Sequence, residues 1–297
     1  MTGHPADSGL RTGRSDGAHG AVVITGAAGA LASDITDGIA AAGWTVRALD
    51  QRPVAARAGV EPVTADIRDA EAIDPALAGA AAVVHLAGIP LEDDWGRLLA
   101  VNIDGTYRVL EAARAAGVRR VVLASSIHAA GFQPVPVDGF IEDDVSIRPD
   151  TLYGVSKAAL EALGSLYADR YGIEVVALRI ASRQSAPTTR RTLSTWLSPA
   201  DATALVLAAL NGPAPGFRTV WGVSANTSGY LSRVGGEELG FRAADDSEAA
   251  RAQVESVPEE ADPSAPWLHL LGGEFCSRRP PRVVGQRADG ASSERSS

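Results

Sequence analysis

The chain has 297 residues, 45% of them hydrophobic, enough to bury a full core as one large α/β domain or as a domain with a small satellite. Its formal net charge of −9 argues against a nucleic-acid groove and against docking on an anionic membrane surface, both of which need a basic face. Cys276 is the single cysteine, which leaves no internal disulfide framework and no thiolate metal cluster; the start has no signal-peptide core and no apolar run approaches about 18 residues, so a cytoplasmic protein is expected.

Residues 1–19, rich in Gly, Asp, Ser and Arg, are expected to form a disordered leader and 277–297 a disordered tail. Between them short apolar strands alternate with Ala-rich helices. The predicted order is strand 21–25 (AVVIT), helix 30–42, strand 44–50 (WTVRALD), strand 63–66 (VTAD), strand 81–88 (AAVVHLAG), helix 94–116, strand 119–126 (RRVVLASS), helix 151–171 and strand 174–180 (EVVALRI). Continuous apolar strands separated by helices predict a parallel sheet covered on both faces.

The first strand runs into Thr25-Gly26-Ala27-Ala28-Gly29-Ala30-Leu31-Ala32. Glycines three apart between a strand and a helix let the backbone approach a pyrophosphate, whose charge sits on the helix N-terminus. Asp50 closes the second strand, where a carboxylate accepts hydrogen bonds from the adenosine ribose hydroxyls and repels a 2′-phosphate. The combination points to NAD rather than NADP, with Arg52 nearby as a countervailing charge. Ala32 stands where a third glycine is usual; that position serves helix–strand packing. Asp66, at the predicted end of the third strand, is a candidate for the adenine amino group.

Lys157 is the only lysine; every other basic residue is arginine. It lies four residues after Tyr153, one of just five tyrosines, and on a helix that spacing puts both side chains on one face about 6 Å apart. A phenol of ordinary pKa about 10 is a poor base at neutral pH, and a neighbouring ammonium favours the phenolate by roughly one to three units. A compact ammonium also reaches a ribose hydroxyl in a way that a planar guanidinium does not.

These motifs, with HLAG (85–88), Asn102 in VNIDGT and the Ser125-Ser126 pair, resemble the extended short-chain dehydrogenases, the family of NAD-dependent sugar epimerases and dehydratases. SSIHAAGFQP (125–134), RPDTLYGVSK (148–157), RTLSTWLSPAD (191–201), VWGVSAN (220–226) and GGEF (272–275) are similar to the bacterial uronate dehydrogenases within it. The resemblance implies a Rossmann-type doubly wound parallel sheet, with an NAD-binding domain at 20–181 and a small C-terminal substrate-binding subdomain at 182–276. It implies oxidation of a cyclic hexuronate at its anomeric carbon to an aldarolactone, with Tyr153 as base, Ser126 on the same oxygen and Lys157 holding the nicotinamide ribose. Gly26, Gly29, Ala30, Leu31, Asp50, Asp66, Ile67, Leu86, Ala87, Gly88, Asn102, Ser125, Tyr153, Lys157 and Ile180 would then border NAD. Arg191 would clamp the sugar carboxylate, with Arg190 as its rival, and Ser126, Ser182 and His128 would meet the sugar.

Two departures from that pattern are expected to matter: Pro90 and Ile127 stand where the resemblance places polar substrate contacts, and neither replaces a side-chain hydrogen bond. The resemblance also implies a homo-oligomer paired through 94–116 and 151–171. An epimerase or reductase acting on a nucleotide sugar, and a non-catalytic NAD-sensing regulator, are the competing functions.

Overall fold

The computed structural model describes residues 19–257 and 265–282, so the predicted leader and tail lie outside it except at His19 and 277–282. In chain order the first half comprises β1 (Gly20–Thr25), α1 (Ala30–Ala41), β2 (Trp44–Asp50), β3 (Val60–Thr64), α2 (Ala70–Leu77), β4 (Ala80–His85), α3 (Trp95–Leu98), a π-helical turn (Leu99–Asp104), α4 (Gly105–Ala115) and β5 (Arg120–Ser126). The second half comprises α5 (Leu152–Tyr171), β6 (Glu174–Ile180), β7 (Ser182–Arg183), α6 (Arg190–Thr195), β8 (Trp196–Leu197), α7 (Pro199–Asn211) and β9 (Phe217–Gly222), followed by short helical turns.

Seven strands form one parallel sheet in the order β3-β2-β1-β4-β5-β6-β9. Because side chains alternate across a strand, the apolar runs feed two cores at once. Val22, Ile24, Val46, Ala48 and Val84 pack with Ile35 and Ile39 of α1 and Leu205 and Val206 of α7. Val23, Leu49, Val83, Val121 and Leu123 face the other way, onto Ile73 of α2, Leu110 of α4 and Leu160 of α5. This is the doubly wound α/β sheet that the sequence predicts, and the order reverses between β1 and β4. Ligands bind at such a switch point, beyond the carboxyl ends of the strands.

Several boundaries differ from the sequence prediction. The third strand lies at 60–64 rather than 63–66, which leaves Asp66 in the following turn. The fourth ends at His85, because Leu86–Gly88 leave the sheet to pass over Gly26; a Cβ there would come within 2.6 Å of the Ala87 nitrogen, and its φ is +72°. Helix 94–116 is interrupted by the π turn, a feature that occurs frequently at functional sites, and this one carries Asn102. Within the predicted subdomain, β9 returns to the sheet edge and α7 packs on the face of α1. A third, smaller core closes the carboxyl end of the sheet, where Ile127 packs with Trp221, Leu231 and Leu271.

Candidate active site

The cofactor-facing candidates gather along consecutive strand ends. Gly26 and Gly29 make the turn after β1, with Gly29 N–H donating to Gly26 O at 2.9 Å. Helix α1 starts from Gly29 with no side-chain cap and no acid in its first turn, so its amides at Ala30 and Leu31 remain open to an anion. Ala32 is buried in the core beneath, its methyl absorbed in helix–strand packing. Asp50 is buried at the end of β2; its carboxylate accepts from Ala28 N–H at 3.0 Å, from Arg52 N–H at 2.8 Å and weakly from Arg52 Nε at 3.4 Å, which leaves about one of its four lone-pair positions for a ribose hydroxyl. Arg52, largely exposed, is tied back to Ala28 O at 2.8 Å. The uncapped helix, the close glycine and the buried acid fit a dinucleotide.

Asp66 is held by Arg68, whose guanidinium engages both carboxylate oxygens and keeps its pKa below the ordinary value. Ile67 is buried and packs on Gly105 of α4. Leu86 N–H donates to Thr25 O at 3.1 Å and Ala87 N–H to Thr25 Oγ1 at 3.3 Å, so the loop after β4 lies against the glycine turn. Gly88 faces Asn102: a Cβ there would sit 3.2 Å from its Oδ1 and 3.8 Å from Lys157 Nζ. Ile180 ends β6 in register with Ser126. Ser125 departs from expectation, because its hydroxyl is engaged by Glu161 Oε1 at 2.6 Å and its side chain points into a buried Glu161–Arg179 ion pair.

A buried histidine beneath this loop has its tautomer set by bond accounting. Thr106 Oγ1 donates its one proton to Asn102 O at 2.6 Å, so it accepts from His85 Nε2 at 3.0 Å; His85 Nδ1 then accepts from Thr25 Oγ1 at 2.7 Å. Complete burial lowers the His85 pKa to about 3, so the ring is neutral and ties β1 and β4 to Thr106 at the start of α4.

Tyr153 and Lys157 are both buried on the first two turns of α5. Ser126 hydrogen-bonds the Tyr153 hydroxyl, which favours the phenolate, but burial outweighs it and raises the phenol to about 12, with Asp150 acting in the same direction. The ammonium was expected to lower that value. Instead Lys157 Nζ donates to Ala124 O at 2.7 Å, sits 5.6 Å from the phenol ring centre, and is itself lowered from 10.5 to about 8 by burial, with Glu161 opposing. The pair as a unit therefore releases its first proton near pH 8.

On the sugar side, His128 is buried with Nδ1 on Asp150 Oδ2 at 2.7 Å, 5.9 Å from the Tyr153 ring and 4.1 Å from that of Phe275. Arg191 is the inward arginine: Nη2 donates to Leu271 O at 2.8 Å, Nη1 reaches Ser182 Oγ at 3.5 Å, and its buried Nε has no partner among the described residues. Arg190 pairs with Glu255 and is half exposed. Ser182 Oγ also meets Thr195 Oγ1 at 2.8 Å. Segment 271–276 joins the two groups, since Gly273 lies against Arg191 while Phe275 covers His128. Of the two departures, Ile127 faces the third core rather than the site, and Pro90 is exposed.

Sequence reasoning assigned no role to Asp150, Phe275 or Glu92. The first two lie inside quoted motifs but show no periodic or charge pattern of their own; Glu92 accepts from the Tyr153 amide, a contact across 61 positions that no local signal announces.

Residues 22–207 match the model of the NAD dependent epimerase/dehydratase family. The chain is 39% identical over 215 residues to a uronate dehydrogenase of Agrobacterium fabrum, covering 72% of this chain and 80% of that one. Uronate dehydrogenase from Agrobacterium tumefaciens, solved as a tyrosine-to-alanine mutant complexed with NAD, is similar at a TM-score of 0.80 and 36% identity, covering 86% of this chain and 96% of that chain. Glucuronic acid dehydrogenase from Chromohalobacter salexigens is similar at a TM-score of 0.81, with the same identity and coverage.

Proposed function

The chain belongs to the NAD-dependent epimerase/dehydratase family, and from that premise we propose that it oxidises a hexuronic acid of the glucuronate or galacturonate type at C1, giving an aldarolactone. The observation that carries this reading is that the buried Ser126–Tyr153–Lys157 set is linked, through His128, Phe275 and Gly273, to an arginine whose buried Nε lacks a partner among the described residues. NAD supplies the hydride acceptor. In the reacting form Tyr153 is the phenolate and takes the proton of the anomeric hydroxyl while C1 loses hydride and the C1–O bond becomes a carbonyl; Ser126 donates to the same oxygen. Lys157 Nζ, anchored on Ala124 O and close to the phenol ring, carries a donor toward the ribose. Arg191 and Ser182 take the sugar carboxylate, and His128, oriented by Asp150, faces the ring. Residues 20–181 then serve the dinucleotide and 182–276 mainly the sugar.

Exposed apolar side chains support a reading of self-association. Trp95, Leu99 and Tyr107 lie along α3, the π turn and α4, and Leu152, Val155 and Leu166 along α5; all are at least one-third exposed and recur at helical spacing. We assign this stripe to a second copy of the chain, testable by light scattering across concentration. Among the described residues no helix is long and apolar enough to cross a membrane, and with the lone Cys276 this supports a cytoplasmic setting. The deciding experiment is NAD reduction by the purified protein against uronates, neutral aldoses and nucleotide sugars. Turnover fastest on uronates and at most slow on neutral aldoses is expected; turnover only of a nucleotide sugar would overturn the assignment.

A further inference from the structure

The loop that follows β4, residues 86–94, passes the cofactor contacts Leu86, Ala87 and Gly88 and then reaches the start of α5. There Glu92, only 4% exposed, accepts a hydrogen bond from the Tyr153 backbone N–H, Oε2 to N 2.9 Å. The helix caps its neighbouring donors itself: Thr151 Oγ1 accepts from Gly154 N–H at 2.9 Å, and Thr151 O accepts from Val155 N–H. The Tyr153 amide is left without an intrahelical partner, as first-turn amides are, and a carboxylate from another element fills the place. Its charge also faces the positive end of the α5 dipole.

The same loop is fastened a second time. Ile89 N–H donates to Asn102 Oδ1 at 2.7 Å, Ile89 O accepts from Asn102 Nδ2 at 3.0 Å, and that amide also donates to Ser156 Oγ at 2.9 Å. The loop therefore meets α5 directly at Tyr153 and, through Asn102, at Ser156, within the turn that aims the phenol and the ammonium. Arg282 pairs with Glu92 through a backbone bridge and closes the joint from outside. A buried carboxylate is costly unless it is bonded, and here its described bond runs to the backbone of the residue that performs the chemistry.

We propose that Glu92 is a positioning residue for the oxidation: it sets the entry of α5, and so the place of the Tyr153 phenol, relative to the loop that borders the cofactor. The inference rests on Tyr153 being the base. Removing the acceptor frees an orphan amide and lets the first turn shift, and a misplacement of about 1 Å can cost on the order of 100-fold in rate.

The test compares Glu92→Ala, Glu92→Gln and Glu92→Asp with the parent, on whichever sugar the parent oxidises best. The Ala variant should lose at least about tenfold in kcat while KM for NAD and sugar stays within about threefold, because distance rather than binding is altered. The Gln variant keeps an amide oxygen in the same place and should return to within about threefold of the parent. The Asp variant is too short to reach and should resemble the Ala variant. Amide hydrogen exchange in the first turn of α5 should accelerate in Ala and Asp but not in Gln, and it can be read even if no tested sugar is turned over, which separates failure of this inference from failure of the substrate assignment. Parent-like kcat and exchange in the Ala variant, or a Gln variant as slow as the Ala variant, would overturn the proposal. Should the Ala variant not fold, the order of Gln above Asp carries the same decision.

Discussion

From Thr25 to Gly88 successive strand ends are each followed within a few residues by a candidate cofactor contact: the glycine turn after β1, Asp50 closing β2, Asp66 just past β3, Leu86–Gly88 past β4. The face proposed for the sugar is assembled otherwise. His128, Asp150, Ser182, Arg191 and Phe275 come from five separate segments and meet only because the third core folds Ile127, Trp221, Leu231 and Leu271 over the end of the sheet. The first region is set by parallel-sheet geometry, which every doubly wound fold shares; the second depends on long-range packing particular to this chain. Tyr153 and Lys157 stand at the seam.

The seam should fail hardest. Tyr153→Phe removes the proton acceptor without disturbing the strand-end contacts, so turnover should drop by about two to four orders of magnitude while NAD affinity, measured by calorimetry, stays near the parent's. Parent-like turnover in this variant would remove the phenol from the mechanism and, with it, the division between the two regions.

Arg191→Gln tests the sugar side alone. A hydrogen bond to a charged group contributes about 1.5–3 kcal/mol, so kcat/KM for a uronate should fall by roughly 10- to 150-fold with NAD binding unaltered. Slow turnover of a neutral aldose should be untouched by the change. An equal loss on both sugars would mean that Arg191 serves the fold through Leu271 and not the carboxylate.

Lys157→Arg probes how the two regions are coupled. With burial lowering Lys157 to about 8 and raising Tyr153 to about 12, the first proton leaves the parent pair near pH 8, and the state so formed has the same proton count as phenolate plus ammonium. Arginine cannot release that proton, and its bulkier, delocalised charge lies differently against the phenol, so the phenol itself must ionise. The rising limb of kcat/KM should therefore move to higher pH, and activity near neutrality should fall at least about tenfold. A pH–rate profile beside a thermal melt checks it; an unchanged limb would show that the lone lysine does not share the titration.

How much of this was legible in the sequence divides along the same seam. The alternation of apolar runs and the Gly26, Asp50 and Lys157 positions are local patterns, and sheet geometry makes each local pattern sufficient. The π turn at Leu99–Asp104 was invisible, because it interrupts a helix without Gly-Pro punctuation and is maintained by Asn102 bonding to Ile89 and Ser156. Ile127 was read as a lost substrate contact, yet it is a core residue, because β5 ends so that Ser126 and Ile127 point to different sides. The upward shift of Tyr153 was missed for a related reason: spacing predicts which side chains share a helix face, but not how much water is excluded around them.

The smallest effect is expected on the cofactor side, at Asp66. Resemblance gives it the adenine amino group, and strand-end placement would make it the equal of Asp50. The structure distinguishes the two acids. Asp50 is buried and bonded mainly to backbone amides, whereas the Asp66 side chain is 31% exposed and its oxygens already accept from Arg68 N–H at 2.9 Å, from Arg68 Nε at 3.0 and 3.1 Å and from Arg68 Nη2 at 2.6 Å. With nearly all its acceptor positions taken and water nearby to screen what remains, Asp66 has little to offer an exocyclic amine. Asp66→Asn should weaken NAD by no more than about threefold, within the ~1 kcal/mol typical of exposed pairs, and leave kcat unchanged. A loss above tenfold in calorimetric titration would mean that adenine displaces Arg68 and that the crevice reads its outer end as firmly as the ribose; a loss within threefold places the discrimination at Asp50, where burial makes the carboxylate count.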